Sequence, residues 1–259
     1  MTMLVDQLFR YPVKGLTAEP LPATDLEAGR AIAWDRAFAL AQGDCGFDPT
    51  APAWRPKAEF LCLARNPEAI RLDSRFDDAT GMLTLIAPDG AALDASPLTE
   101  AGRSQLATFV AAALPDSMRG TPRFRYASGH SFSDHRNQVI SLIGLGSLRA
   151  LEAAAGAPRH PLRFRANLYF EGAEPWAELG WVGRTLAIGE ARLRVTARID
   201  RCAATTINPE TRTRDANPVK DLMTHFGHVE CGIYAEVIVP GRIAPGDAIV
   251  LLPGSLGDG

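Results

Sequence analysis

The sequence predicts a mainly β protein with a few helices, an α+β fold rich in barrel-forming strands. Three observations predict it. Short stretches of period-2 hydrophobicity recur along the chain, Pro, Gly, Asn and Asp turns punctuate them at close spacing, and helical periodicity is confined to a few segments. At 259 residues the chain can bury one large core or two small ones. Residues 115–137 are weakly periodic and bear Pro, Arg and Gly. A junction is therefore expected there, giving a β-rich unit over 1–115, a second unit over 116–253 and a disordered tail over 254–259.

In the N-terminal unit, residues 4–11 read as a strand that stops at Pro12-Val13-Lys14-Gly15. Residues 36–41 are a second strand, followed by a Gly- and Pro-bearing loop over 43–56. Residues 59–64, 70–73 and 82–87 read as short strands, with Pro88-Asp89-Gly90 as a turn. Ser96-Pro97 offers an N-cap and an N1 proline, so a helix is expected from there. Leu106, Phe109, Val110 and Ala113 would be its buried stripe and Pro115 its stop.

The second unit opens with a strand over 138–143 and a helix reaching Ala155, ended by Gly156 and Pro158. Residues 164–170 alternate: Phe164, Ala166, Leu168 and Phe170 point one way, Arg163, Arg165, Asn167 and Tyr169 the other. Two arginines and an asparagine on one strand face make a candidate anion clamp, with a solvated face as the competing reading. Residues 192–200 alternate again, with Leu193, Val195, Ala197 and Ile199 as the buried set. Asn217-Pro218 opens a helix with Val219, Leu222, Met223 and Phe226 on one stripe and Gly227 at its left-handed end. Strands over 232–239 and 248–252, with turns at Pro240-Gly241 and Pro245-Gly246-Asp247, complete the pattern.

A net charge of −3 gives no general attraction to nucleic acid or an anionic membrane. No stretch approaches the roughly 20 apolar residues that cross a bilayer, and the first residues carry no leader pattern. A cytoplasmic protein without nucleic-acid or membrane partners is expected. Cys45, Cys62, Cys202 and Cys231 lie far apart with no CxxC pair, which argues against structural zinc, an iron–sulfur cluster or a redox dithiol. They should be free thiols. His225 and His228 lack a third ligand. Lysine is rare: Lys14, Lys57 and Lys220 stand against 24 arginines. Cys202 sits where the 192–200 strand gives way to the Asn208-Pro209 turn, beside Arg201. A neighbouring cation favours thiolate, the form that binds soft metals or attacks electrophiles; a buried structural thiol is the competing reading.

Several segments combine into one pattern. They are Tyr11-Pro12-Val13-Lys14, Trp34-Asp35-Arg36-Ala37-Phe38, His130-Ser131-Phe132-Ser133-Asp134, Arg163-Phe164-Arg165-Ala166-Asn167 and the run from Arg201-Cys202 to Thr211. The strand around Tyr234 and the closing Pro245-Gly246-Asp247 follow. In this order, from about residue 4 to 252, the chain resembles the MOSC-domain proteins of the mitochondrial amidoxime-reducing component type and their bacterial relatives.

The resemblance implies a MOSC β-barrel preceded by a β-rich N-terminal MOSC-associated domain, together holding a molybdenum cofactor (molybdopterin). It implies Cys202 as the catalytic residue and the protein's ligand to molybdenum. Lys14, Arg36, Arg165, Asn167, Arg201 and Tyr234 would surround the pterin and its phosphate. Thiolate suits a metal already held by dithiolene sulfurs, and a buried dianion needs several charge-assisted donors. The implied activity is two-electron reduction of N-oxygenated small molecules to the amine or amidine plus water. Electrons would come from a separate ferredoxin or cytochrome b5 type protein, since no haem or iron–sulfur motif is present. A persulfide-carrying Cys202 and a non-catalytic cofactor-binding module are the alternatives. His130 and Asp134 are proton-donor candidates by chemistry alone. Gly15 departs from the family's hydroxyl or thiol residue, Arg212 stands where the family often has glycine, and no ferredoxin-like cysteine cluster follows, as it does in some bacterial relatives.

Overall fold

The structure, a computed structural model, describes residues 2–253; the tail expected over 254–259 lies outside the described residues. The chain runs through β1 (Met3–Arg10), β2 (Glu19–Pro20), β3 (Thr24–Leu26) and β4 (Phe38–Ala41). Two 3-10 turns precede a meander of β5 (Asp73–Asp77), β6 (Met82–Ile86) and β7 (Ala92–Ala95), followed by α1 (Glu100–Ala113) and β8 (Arg123–Tyr126). The second half comprises β9 (Ile140–Gly144), α2 (Leu145–Ala155), β10 (Leu168–Glu171), β11 (Thr185–Ile188) and β12 (Ala191–Asp200). It finishes with α3 (Pro218–Phe226), β13 (Glu230–Val239), β14 (Gly241–Ile243) and β15 (Ala248–Leu251).

The strand order β10-β9-β13-β12-β11-β15-β1, with β1 pairing back to β10, closes a seven-strand barrel. Closure leaves the seven-strand ring itself without an end strand, whereas the β5-β6-β7 meander stays open. β9 and β10 are parallel and joined across α2, the longer connection that a parallel pair requires; the other barrel neighbours are antiparallel. Val5, Leu8, Leu142, Leu168, Leu193 and Ile233 fill the barrel core. In β12 the expected alternation holds over Leu193 and Val195, then register shifts between Val195 and Ala197 and between Arg198 and Asp200 bend the strand end. Arg201 and Cys202 leave the barrel from that bend. A second core is built around Phe38, Leu61, Phe76, Leu85, Leu106 and Phe124, where the meander and α1 pack on β4 and β8.

Five local expectations are corrected. Residues 59–64 form no strand: Lys57–Glu59 is a 3-10 turn, Phe60 makes a single bridge to Ala41, and Asn66 Oδ1 accepts from Cys62 N at 3.3 Å. Residues 67–71 are likewise a 3-10 turn with Pro67 at its start, and the strand begins only at Asp73. α1 starts after Thr99, whose side chain accepts from Gly102 N, and not after Ser96, whose Oγ donates to Gly81 O at 3.0 Å. Of the strand expected over 164–170 only 168–170 forms: Pro161–Phe164 is a 3-10 turn, Arg165 is left-handed, and β10 begins at Leu168. In α3, Asn217 caps and Gly227 terminates as expected, but Met223 faces solvent at 52% exposure.

Among the described residues no helix is long and apolar enough to cross a membrane. The four cysteines are free thiols, and among the described residues no group of three or more His, Cys, Asp and Glu side chains gathers to hold a metal ion.

Candidate functional site

A cavity of about 370 Å³ is walled by both halves of the chain, and Lys14, Arg36, Arg165, Asn167, Arg201, Cys202 and Tyr234 all line it. Cys202 opens the 3-10 turn Ala203–Thr206, and its carbonyl accepts from Thr205 N and Oγ1, both at 3.0 Å, fixing the turn. Its Sγ lies 3.3 Å from Lys57 Nζ. Lys57 in turn donates to Asp134 Oδ2 at 3.1 Å, while Asp134 Oδ1 takes the Lys14 ammonium, which also donates to Phe132 O at 2.8 Å. A chain of thiol, ammonium, carboxylate and ammonium therefore runs along one wall.

Burial alone would raise the Asp134 carboxyl, but Lys14 and Lys57 outweigh it and hold the group well below the usual carboxylate range. Burial alone would lower the Lys57 ammonium, but Asp134 and Cys202 outweigh it and raise it. Because Asp134 is held low, its stabilising effect is complete above the ordinary aspartate value of about 3.9 and is lost as pH falls through the lowered one. Its side chain is 44% exposed, so solvent screens the pairs. Asp134→Asn should cost no more than about 1 kcal/mol at pH 7. In urea denaturation the gap to wild type should narrow as the pH is taken below about 4; a gap that widens there would contradict the assignment.

The opposite wall is organised by Tyr11, which is fully buried with Arg36 and Arg165 guanidinium carbons 4.2 Å and 4.3 Å from its ring centroid. Asp35 grips Arg36 with both oxygens (2.7 and 2.5 Å) and accepts from Tyr11 N at 2.8 Å. Arg36 donates onward to Arg165 O at 2.8 Å. Both arginines have left-handed backbones (φ 49° and 53°), a conformation side chains seldom adopt. The ion pair and the stacked ring hold them there. Burial, with Arg36 adding repulsion, pushes Arg165 down to about 10. Arg165 Nη2 and Arg163 Nε, on two residues that line the cavity, are buried without an acceptor.

Arg201 and Asn167 are engaged differently. Arg201 donates to Cys231 O through Nε (2.7 Å) and Nη2, and to Phe164 O through Nη1 at 2.7 Å. Asn167 Oδ1 accepts from Ser141 N and Oγ (3.1 and 2.8 Å), and its Nδ2 donates to Phe9 O at 3.2 Å. Both side chains tie strands and turns of the cavity wall together. Tyr234 projects from β13 beside His135, ring centroids 4.8 Å apart, and burial raises its phenol. Gly15 has φ +84°, and a Cβ there would meet Leu61 O at 3.2 Å, so a hydroxyl-bearing residue is disfavoured by this backbone.

Sequence reasoning missed Lys57, which it placed just past a loop. The available signal was lysine usage: two of the chain's three lysines converge on Asp134, in a chain that otherwise uses 24 arginines. Two unit charges about 4 Å apart are worth about 1 kcal/mol even in a water-like dielectric. Lys57→Met should therefore slow iodoacetamide alkylation of Cys202 in cofactor-free protein by about fivefold, the exponential of that energy over RT. An unchanged rate would show that the 3.3 Å contact does not act on the sulfur.

The closed barrel and the thiol set in a basic cavity, just past the end of β12, define a class of two-part barrel protein. The chain belongs to the MOSC-domain family: residues 2–116 match the MOSC N-terminal beta barrel domain and residues 128–250 the MOSC domain. It is similar to the molybdenum cofactor sulfurase of Danio rerio, 36% identical over 73 residues, which is 28% of this chain and 8% of that protein. Among solved structures, the YuaD protein from Bacillus subtilis is 17% identical with a TM-score of 0.46, over 96% of this chain and 94% of that one. YiiM from Geobacillus stearothermophilus is 19% identical with a TM-score of 0.36, over 46% and 56% of the two chains.

Proposed function

We propose that this protein binds a molybdenum cofactor of the molybdopterin type and reduces N-oxygenated small molecules to the amine or amidine plus water. One observation carries the reading. The cavity places a thiol among seven basic side chains (Lys14, Arg36, Lys57, Arg163, Arg165, Arg198 and Arg201) against three carboxylates (Asp35, Asp134 and Asp200), in a chain of net charge −3. Such a site suits a polyanion that also wants a soft ligand.

Cys202 would hold the metal as thiolate. Arg165 and Arg163 would offer their unsatisfied N–H groups to the phosphate, with Lys14 and Arg36 adding charge. Arg201, Asn167 and Tyr234 would shape the pterin's walls. The cofactor, when bound, supplies the two-electron chemistry. A separate ferredoxin or cytochrome b5 type protein would deliver the electrons, in a cytoplasmic setting. Protein made in a molybdopterin-producing host should carry close to one molybdenum per chain and reduce benzamidoxime with dithionite; protein that takes up no metal there would defeat the proposal.

A second reading, Cys202 as a persulfide carrier, is favoured by the similarity to a stretch of a molybdenum cofactor sulfurase. A mass increment of one sulfur on Cys202 would promote it.

A further inference from the structure

A second cavity of about 200 Å³ adjoins the first, and Leu63, Arg163, Arg165 and Ala204 line both. Its remaining walls are largely apolar, with Leu16, Ile70, Leu162 and Ile207 beside the Tyr11 ring. Of its charged residues, Arg163 and Arg165 belong to the wall shared with the first cavity, and the others have partners. Arg212 holds Asp73 with a two-pronged pair (2.9 and 2.8 Å), and Glu210 lies 3.4 Å from His160. Both pairs run from the 208–215 loop to other parts of the chain. Exposed pairs of this kind are individually weak, so the loop can open without a large cost. Arg212 has φ 59°, the conformation glycine favours. The departure from glycine thus adds a side chain to the wall while keeping a glycine-like turn.

We infer that the second cavity receives the organic body of the substrate, an uncharged or weakly basic group of about one six-membered ring, and that Arg212 limits its size. The inference rests on the proposed reductase reading and names where that reaction's substrate sits. The first cavity is lined by seven basic side chains and suits an anion; beyond the shared Arg163 and Arg165 the second has a largely apolar lining. Ala204, two residues beyond Cys202, lines both, so a ligand in the second cavity lies next to the turn that carries the sulfur. A dry cavity of about 150 Å³ accommodates benzene, so this volume admits one ring with a small polar head.

Ala18 lines the second cavity and is only partly buried, so Ala18→Phe fills the space from its edge. Hydroxylamine has the reducible N–O bond without a carbon body. With dithionite as reductant, the ratio of kcat/KM for benzamidoxime to that for hydroxylamine should fall at least about tenfold in Ala18→Phe. Arg212→Ala should raise the relative rate for the bulkier 2-naphthamidoxime. Calorimetry with benzamidoxime, which is neutral at pH 7, on cofactor-free protein should show binding that Ala18→Phe abolishes. Ratios unchanged in both variants, or no benzamidoxime binding to wild type, would overturn the inference. Wild-type protein that carries molybdenum and reduces neither compound defeats the reductase reading instead, and the benzamidoxime titration still decides the cavity.

Discussion

Cys202→Ala should abolish dithionite-driven benzamidoxime reduction, lowering it at least about 100-fold, because losses of groups that merely orient a metal ligand already cost 10- to 100-fold. The pterin should be largely retained. Its phosphate would be held by Lys14, Arg36 and the unsatisfied arginine donors, none of which leans on the sulfur. Pterin fluorescence after extraction and molybdenum per chain separate the two effects. Stability should change little, since Cys202 is half-buried and its turn is fixed by its own carbonyl. Wild-type turnover in Cys202→Ala would remove the thiol from the proposed chemistry.

The largest loss of stability is expected at Asp35. Its carboxylate is 4% exposed and satisfies both the Arg36 guanidinium and the Tyr11 amide. Asp35→Ala would leave a buried cation and a buried N–H unpaired, at a cost of about 3–5 kcal/mol. That is a large part of the 5–15 kcal/mol that separates typical folded and unfolded states. Asp35→Asn keeps an acceptor for Tyr11 and loses only the charge, so it should recover part of the deficit. Urea midpoints for the three proteins check the order. Equal midpoints for Asp35→Ala and wild type would show that the left-handed Arg36 needs no ion pair to hold it.

These expectations show where the sequence was readable. β12 and β13 declare themselves because one face of each is buried in the barrel, which writes period-2 hydrophobicity into the chain. α3 was legible through Asn217 and Gly227, whose conformations are local matters. The 3-10 turns at 57–59 and 67–71 were not, since a short apolar run fits a strand as well as a turn and tertiary packing decides. Arg36 was found only through the family pattern, whereas Arg165 was also singled out by the alternation over 164–170. Their left-handed backbones depend on Asp35 and the Tyr11 ring, and Arg165 lies far from both in sequence. Arg165 and Asn167 do line one cavity, although a left-handed turn, not strand alternation, brings them there. That Arg201 and Asn167 would spend their donors on backbone carbonyls is a property of packing that no local pattern reports.

The closing strand of the barrel has a consequence in time. Met3 pairs with Ile249 and Leu4 with Glu171, so β1, whose nearby partner is only the short β2, closes the ring against strands far away in sequence. Until those strands are in place the ring stays open. Such distant pairing slows folding and lengthens exposure of sticky intermediates. The reward is that the two ends of the described chain are fastened together by one ladder, so neither can fray without opening the barrel.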